Sequence, residues 1–147
     1  IPLVLFLILC LGGYIYTLST IISLYPYPYV YYNELQGGVK GAYKKYDIDY
    51  WGQCLKDAAV WVKNNYKTYT HDNPVRVSPK GEPLLTMYYL SNNFVLDYSN
   101  PDFYIYNNFY DWVDFKYVDW KDYFPNYKEV YTLKEGGIYI CGVKAKS

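Results

Sequence analysis

The residue types able to do chemistry are scattered thinly along this chain. His71, the single histidine, is followed by Asp72 in the stretch HDNP, which puts a base beside a carboxylate. Adjacent residues in a turn rarely orient each other as a catalytic dyad, and no serine or cysteine nucleophile is marked by a motif. The pair reads as turn chemistry. Asp47 and Asp49 are two carboxylates two residues apart. A calcium loop needs further oxygen ligands at regular spacing, and they are missing. Asp49 is better placed to cap a following helix, accepting from an amide of its first turn. Gly37-Gly38 and Gly41 lack the lysine and hydroxyl residue of a phosphate loop. They suit a sharp backbone turn. Asp111, Asp114, Asp119 and Asp122 alternate with Trp112, Phe115, Tyr117, Trp120 and Tyr123. Such a mixture can grip sugars, or can form an amphipathic segment over a sheet, and the second use is the more common. No catalytic set and no metal site assembles from these residues, and no cofactor is expected within the chain.

The cysteines, Cys10, Cys54 and Cys141, form no CxxC pair. Cys10 lies in an apolar run, which argues against a shared zinc site. A Cys54–Cys141 disulfide is open to a domain outside the cytoplasm. Small buried side chains are the alternative.

Composition narrows the class. The chain has 147 residues, enough for one domain of ordinary size. It starts Ile1-Pro2 without an initiator Met and is expected to be a piece of a longer protein. Basic and acidic residues balance at 14 each, so no charge excess points to nucleic acid. Tyrosine is abundant, at 23 residues. Its apolar body and polar tip suit membrane interfaces, partner surfaces and half-buried strands.

The first charged residue is Glu34. Residues 1–24, IPLVLFLILCLGGYIYTLSTIISL, form an uncharged run long enough to cross a bilayer, which takes about 20 residues. Tyr14, Tyr16, Tyr25 and Tyr27 are placed to sit at headgroup level. Pro26 and Pro28 stop the helix, since each lacks an N–H and restricts its predecessor.

Beyond an aromatic, glycine-rich segment at 25–50, helical periodicity begins. Trp51, Cys54, Leu55, Ala58, Ala59 and Val62 share one helix face, with Asp49 ahead of it and Lys63-Asn64-Asn65 at its end. Trp51 is expected to pack beneath that helix. A strand is expected at Pro74–Ser78 and a helix opening at Pro83 and running through LLTMYYL. Further strands are expected at Phe94–Tyr98 and Phe103–Tyr106. One helical turn is expected at Asp119–Phe124. Two closing strands flank Glu135-Gly136-Gly137 as a hairpin. The chain shows no internal repeat. The expected fold is α/β or α+β: one N-terminal transmembrane helix, then residues 51–147 as a small mixed-sheet domain with helices on it and a C-terminal β-hairpin.

The stretch PYPYVYYNELQGGVKGAY, followed by DIDYWGQCLKDAAVWV, resembles the region after the last span of large membrane glycosyltransferases. These are enzymes of the GT-C type related to dolichyl-phosphate-mannose–protein mannosyltransferases, glycosyltransferase family 39. Members often read HPY-x-Y-x-YYN, then GG, GA and D-x-D-x-WG. Asn33, Gly37, Gly38, Gly41, Ala42, Asp49, Trp51 and Gly52 match, while Tyr25 or Tyr27 stands where those chains have His. The resemblance covers residues 1–62 well and the remainder weakly. It implies a parent that transfers sugar outside the cytoplasm from a polyprenyl-phosphate donor. It also implies that the catalytic carboxylate lies in an upstream loop, so no catalytic residue is carried onto this chain. In that reading Tyr32, Asn33, Glu34, Gly37, Gly38, Asp49, Tyr50, Trp51 and Gly52 form an elbow, lid or substrate-facing element. The implied partners are membrane lipid, the rest of the parent protein and the lipid-linked donor. The localisation is membrane, with the domain extracytoplasmic. The competing expectation is an anchored, non-enzymatic module that binds carbohydrate or protein.

Overall fold

The computed structural model describes residues 2–111, 116–118 and 120–147. Helix α1 runs Leu3–Ser23 and buries none of its residues. At about 1.5 Å per residue its 21 residues match a hydrocarbon layer about 30 Å thick. By length and composition α1 can cross a membrane. Its last turn closes with the amides of Leu24 and Tyr25 donating to Ile21 and Ile22, and the amide-less Pro26 follows.

The remainder is α+β. Helix α2 spans Gly38–Ala42, α3 Cys54–Asn65 and α4 Pro83–Tyr89. Strands β1 (Val75–Pro79), β2 (Phe94–Leu96), β3 (Phe103–Asn107), β6 (Lys128–Glu135) and β7 (Ile138–Ala145) form one mixed sheet in the order β2-β1-β3-β7-β6. The β1 strand runs parallel to β2 and β3, whereas β7 is antiparallel to β3 and β6. A separate pair, β4 (Phe109–Asp111) and β5 (Lys116–Val118), stands beside it. The β6–β7 hairpin turns on Gly136 and Gly137, both at positive φ (56° and 80°). That is the requirement of a tight primed turn, and glycine meets it without a steric penalty.

The central strand β3 is buried along its whole length. On one face Phe103 and Ile105 join the main core with Leu55, Ala58, Ala59 and Val62 of α3. On the other, Tyr104 and Tyr106 stack at 5.6 Å, and Phe124 covers them. Coverage on both faces explains why β3 is nearly all aromatic and aliphatic rather than alternating. Strand β2 is shorter than expected because the Asp97 carboxylate accepts from the amides of Ser99 and Asn100, which turns the chain. The Asp102 carboxylate receives the Arg76 side chain at 2.7 and 3.2 Å and the Arg76 amide at 2.8 Å, which ties β1 to the start of β3.

Two expectations change. Helix α3 starts at Cys54 rather than at Trp51, because Gly52 sits at φ +62° and breaks the helical path. Trp51 is therefore left 68% exposed instead of packing beneath the helix. Tyr27, expected at headgroup level, is instead buried against the domain with much of the segment at 25–50. Tyr27, Val30, Val39, Ala42 and Ile48 belong to the same core as α3 and the sheet. One expectation holds in another form: the turn near Asp119–Phe124 is a single 3-10 turn at Trp120–Asp122.

Candidate functional site

The site is built where the chain leaves α1. Pro26 and Tyr27 follow that helix directly and line a cavity of about 400 Å³ with Gln53, Lys56, Asp57, Leu85 and Tyr89. Two helices set its walls: the first turn of α3 supplies Gln53, Lys56 and Asp57, and α4 supplies Leu85 and Tyr89. Core packing dictates which α3 residues face the cavity. Cys54, Leu55, Ala58 and Ala59 point inward, so Gln53, Lys56 and Asp57 fall on the outer side of the same turn.

Inside the cavity the Tyr27 hydroxyl donates to the Asp57 carboxylate. Burial, reinforced by Asp57, raises the Tyr27 phenol well above its ordinary range, so Tyr27 stays a neutral donor. The Lys56 ammonium lies 5.7 Å from the centroid of the Tyr89 ring, within cation–π distance. Lys56 makes no ion pair among the described residues. The cavity thus offers a cation with no ion pair among the described residues, a carboxylate held by a phenol, an amide and two aromatic rings. That set can bind an anionic headgroup and stack on a sugar. It holds no pairing of nucleophile and base.

Asp49 supports this wall from below. Its buried carboxylate accepts from the amides of Gln53 (2.9 Å) and Cys54 (3.3 Å), the otherwise unpaired donors at the start of α3. Its carbonyl accepts from the side chain of Asn107, at the end of β3. The Tyr29 hydroxyl is buried nearby, and burial together with the Asp49 charge raises that phenol as well. Asp49 is a cap acting from outside the helix, and Gly52 is the bend that lets it reach.

The motif residues fall into two places. Tyr32, Asn33, Glu34, Gly37 and Gly38 form a compact turn. The Asn33 side chain accepts from the Gln36 amide, the Tyr32 hydroxyl donates to the Asp47 carbonyl, and Gly37 and Gly38 take positive φ. Asp49, Tyr50, Trp51 and Gly52 form the elbow beside the cavity, where Tyr50 and Trp51 project outward as an edge-to-face pair. The two groups do not converge on one pocket. Lys56, Asp57, Leu85 and Tyr89 are absent from the motif reading. The only sequence signal for them is a Lys-Asp pair on the non-core side of an amphipathic helix.

Other candidates dissolve. Asp72 pairs with Arg76 at 3.0 Å, and His71 is exposed in the loop. Cys54 and Cys141 are free buried thiols; the Cys141 thiol donates to the Cys54 carbonyl at 3.3 Å, and burial raises both thiols. Among the described residues no group of three or more His, Cys, Asp or Glu could hold a metal. The aromatic–carboxylate stretch lies mostly outside what can be described: Trp112, Asp114, Phe115 and Asp119 are among the undescribed residues.

Comparison with known proteins returns no match, whether to a family model, to a curated protein or to a solved structure.

Proposed function

We propose that this chain is the C-terminal extracytoplasmic part of a membrane glycosyltransferase that takes sugar from a polyprenyl-phosphate donor. The part described here anchors and binds, and the bond-making residues lie elsewhere in the parent. The observation that carries the reading is the cavity at the foot of α1. An uncharged helix leads within four residues into a pocket whose Lys56, Gln53, Tyr27 and Tyr89 suit a phosphate and a sugar ring. A lipid-linked sugar presents those groups at the depth where such a helix leaves the bilayer. The resemblance of residues 25–53 to family 39 chains supports the same reading, including the localisation in a membrane with the domain outside the cytoplasm.

The test uses membranes that carry the full parent reading frame, supplied with polyprenyl-phosphate hexoses. Transfer is expected from the parent and none from the present chain alone. Lys56→Ala in the parent should raise KM for the donor more than it lowers kcat, because Lys56 is assigned to binding. A parent that inserts into the membrane yet transfers no sugar from any such donor would sink the proposal. Binding of free oligosaccharide by the chain alone, with a parent inactive as a transferase, would favour the anchored carbohydrate-binding module instead.

A further inference from the structure

We infer that the rim of this cavity is a second membrane contact, in which Tyr25, Tyr50, Trp51, Leu84 and Tyr88 lie in the headgroup layer and hold the domain down on the bilayer. The inference rests on α1 as a membrane span and does not depend on sugar transfer.

The rim residues share a pattern. Tyr25 is 80% exposed, Trp51 68%, Leu84 84% and Tyr88 79%. Each stands beside a residue that lines the cavity: Tyr25 next to Pro26, Trp51 two before Gln53, Leu84 next to Leu85, and Tyr88 next to Tyr89. These exposed side chains are carried by the same segments that wall the cavity, and one of those segments is the chain leaving α1. The elbow and α4 are neighbours at this rim, since the space beside Gly52 is filled by Leu55 and by Glu82, the residue before α4. Tyr50 and Trp51 brace each other at 5.0 Å with perpendicular rings, so the pair is presented as a unit.

The chemistry of the rim is that of a bilayer interface. Tryptophan and tyrosine favour the headgroup zone because their rings are apolar while N–H and O–H still find polar partners. Lys56, in the cavity wall, has a flexible stem and no ion pair among the described residues, as a phosphate contact requires. Glu82 is exposed beside the elbow, and a headgroup layer must leave its carboxylate in water. The far end of α3 has the opposite character. Lys63, Asn64, Lys67, His71 and Asp72 are all exposed there. At about 1.5 Å per residue, the 12 residues of α3 separate the exposed Tyr50–Trp51 pair at its start from these charged and polar residues at its end. That gradient orients the domain with the start of α3 toward lipid and its end toward water. The bilayer is preferred to a protein partner as the occupant because Tyr25 closes the last turn of the helix that enters it and leads straight into the cavity wall at Pro26 and Tyr27.

The experiment uses the full chain in vesicles of phosphatidylcholine and phosphatidylglycerol, with Trp51 as the sole tryptophan (Trp61→Phe, Trp112→Phe, Trp120→Phe). Lipids brominated near the top of the acyl chain should quench Trp51 strongly, and lipids brominated near the chain end should quench it less. Aqueous acrylamide should reach it poorly. If the triple variant does not fold, the difference in emission between wild type and Trp51→Phe gives the same reading. Trp51 emission indifferent to brominated lipid and open to acrylamide would overturn the inference by placing the rim in water. Emission shielded from both quenchers would overturn it in favour of a protein contact. Sugar transfer by the parent is read separately, so either result can fail without the other.

Discussion

Replacing Asp49 should damage the domain more than replacing Trp51, the reverse of what a helix starting at the tryptophan implies. The Asp49 carboxylate is fully buried and accepts from two amides, those of Gln53 at 2.9 Å and Cys54 at 3.3 Å. Asp49→Ala removes both acceptors. Leaving a buried donor unpaired costs about 1–3 kcal/mol. Cys54 is wholly buried, so its amide bears that penalty in full. Gln53 is exposed, and water can restore part of its loss. The sum is about 2–4 kcal/mol, beyond the about 0.5–2 kcal/mol of an ordinary cap. For a domain of this size about 4 °C of Tm accompanies each kcal/mol, so Tm should fall by about 8–16 °C. Asp49→Asn keeps one carbonyl oxygen and should lose about half as much. Trp51→Ala removes an exposed ring and should cost no more than about 0.5 kcal/mol. The assay is thermal unfolding of the full chain in detergent micelles, followed by near-ultraviolet circular dichroism. An Asp49→Ala protein that melts with the wild type, or a Trp51→Ala protein that melts as early as Asp49→Ala should, would refute the capping argument.

Three further outcomes follow from the same packing. Burial raises the phenols of Tyr27, Tyr29 and Tyr104, and that of Tyr131 to about 12, from an ordinary 10.0. A raised folded value means the neutral form is favoured in the fold. Stability from these residues is therefore complete below pH 10.0; that from Tyr131 is lost as pH climbs through about 12, and that from the other three at still higher pH. Urea midpoints should be flat up to the ordinary phenol value and then drop, and tyrosines that all ionise together at that value in the folded protein would contradict this. Gly41→Ala drives a methyl into the Gln36 carbonyl oxygen and should cost at least about 1–3 kcal/mol, whereas Gly12→Ala, with nothing within 4 Å, should be silent in the same melting assay. In a Cys10→Ser background, maleimide should label neither Cys54 nor Cys141 in the folded protein and both after denaturation without reductant; failure to label after denaturation would mean a disulfide in place of free thiols.

Much of the fold was legible because its signals are local. The uncharged run gave α1, the i, i+3, i+4 spacing from Cys54 to Val62 gave the buried face of α3, and the Gly136-Gly137 pair gave the closing hairpin. Errors arose where one residue overrides a periodic pattern. Trp51 fits the helical spacing of Cys54 and Leu55, yet Gly52 at φ +62° takes it off the helix. Tyr27 looks like an interfacial tyrosine, yet its hydroxyl reaches Asp57, 30 residues on, and its ring is buried. Periodicity carries no information about that contact. The cavity escaped for the same reason: Pro26, Lys56 and Tyr89 become neighbours only when three separate segments pack.

The polar knot at Asp49 explains why the exit segment can be both short of regular structure and firmly placed. Its carboxylate holds the start of α3, its carbonyl holds Asn107 of β3, and its neighbour Ile48 is in the core. Upstream, Val39 and Lys40 of α2 rest against the hairpin glycines, with Cβ positions at Gly136 and Gly137 only 3.1 Å from their side chains. The segment is thus pinned at both ends to the sheet. Between α1 and these pins lie Leu24, Tyr27 and Val30, all buried. A helix joined to a domain through buried side chains, with no free linker between them, transmits its orientation. If α1 stands in a bilayer, the same contacts dictate which face of the domain meets the lipid.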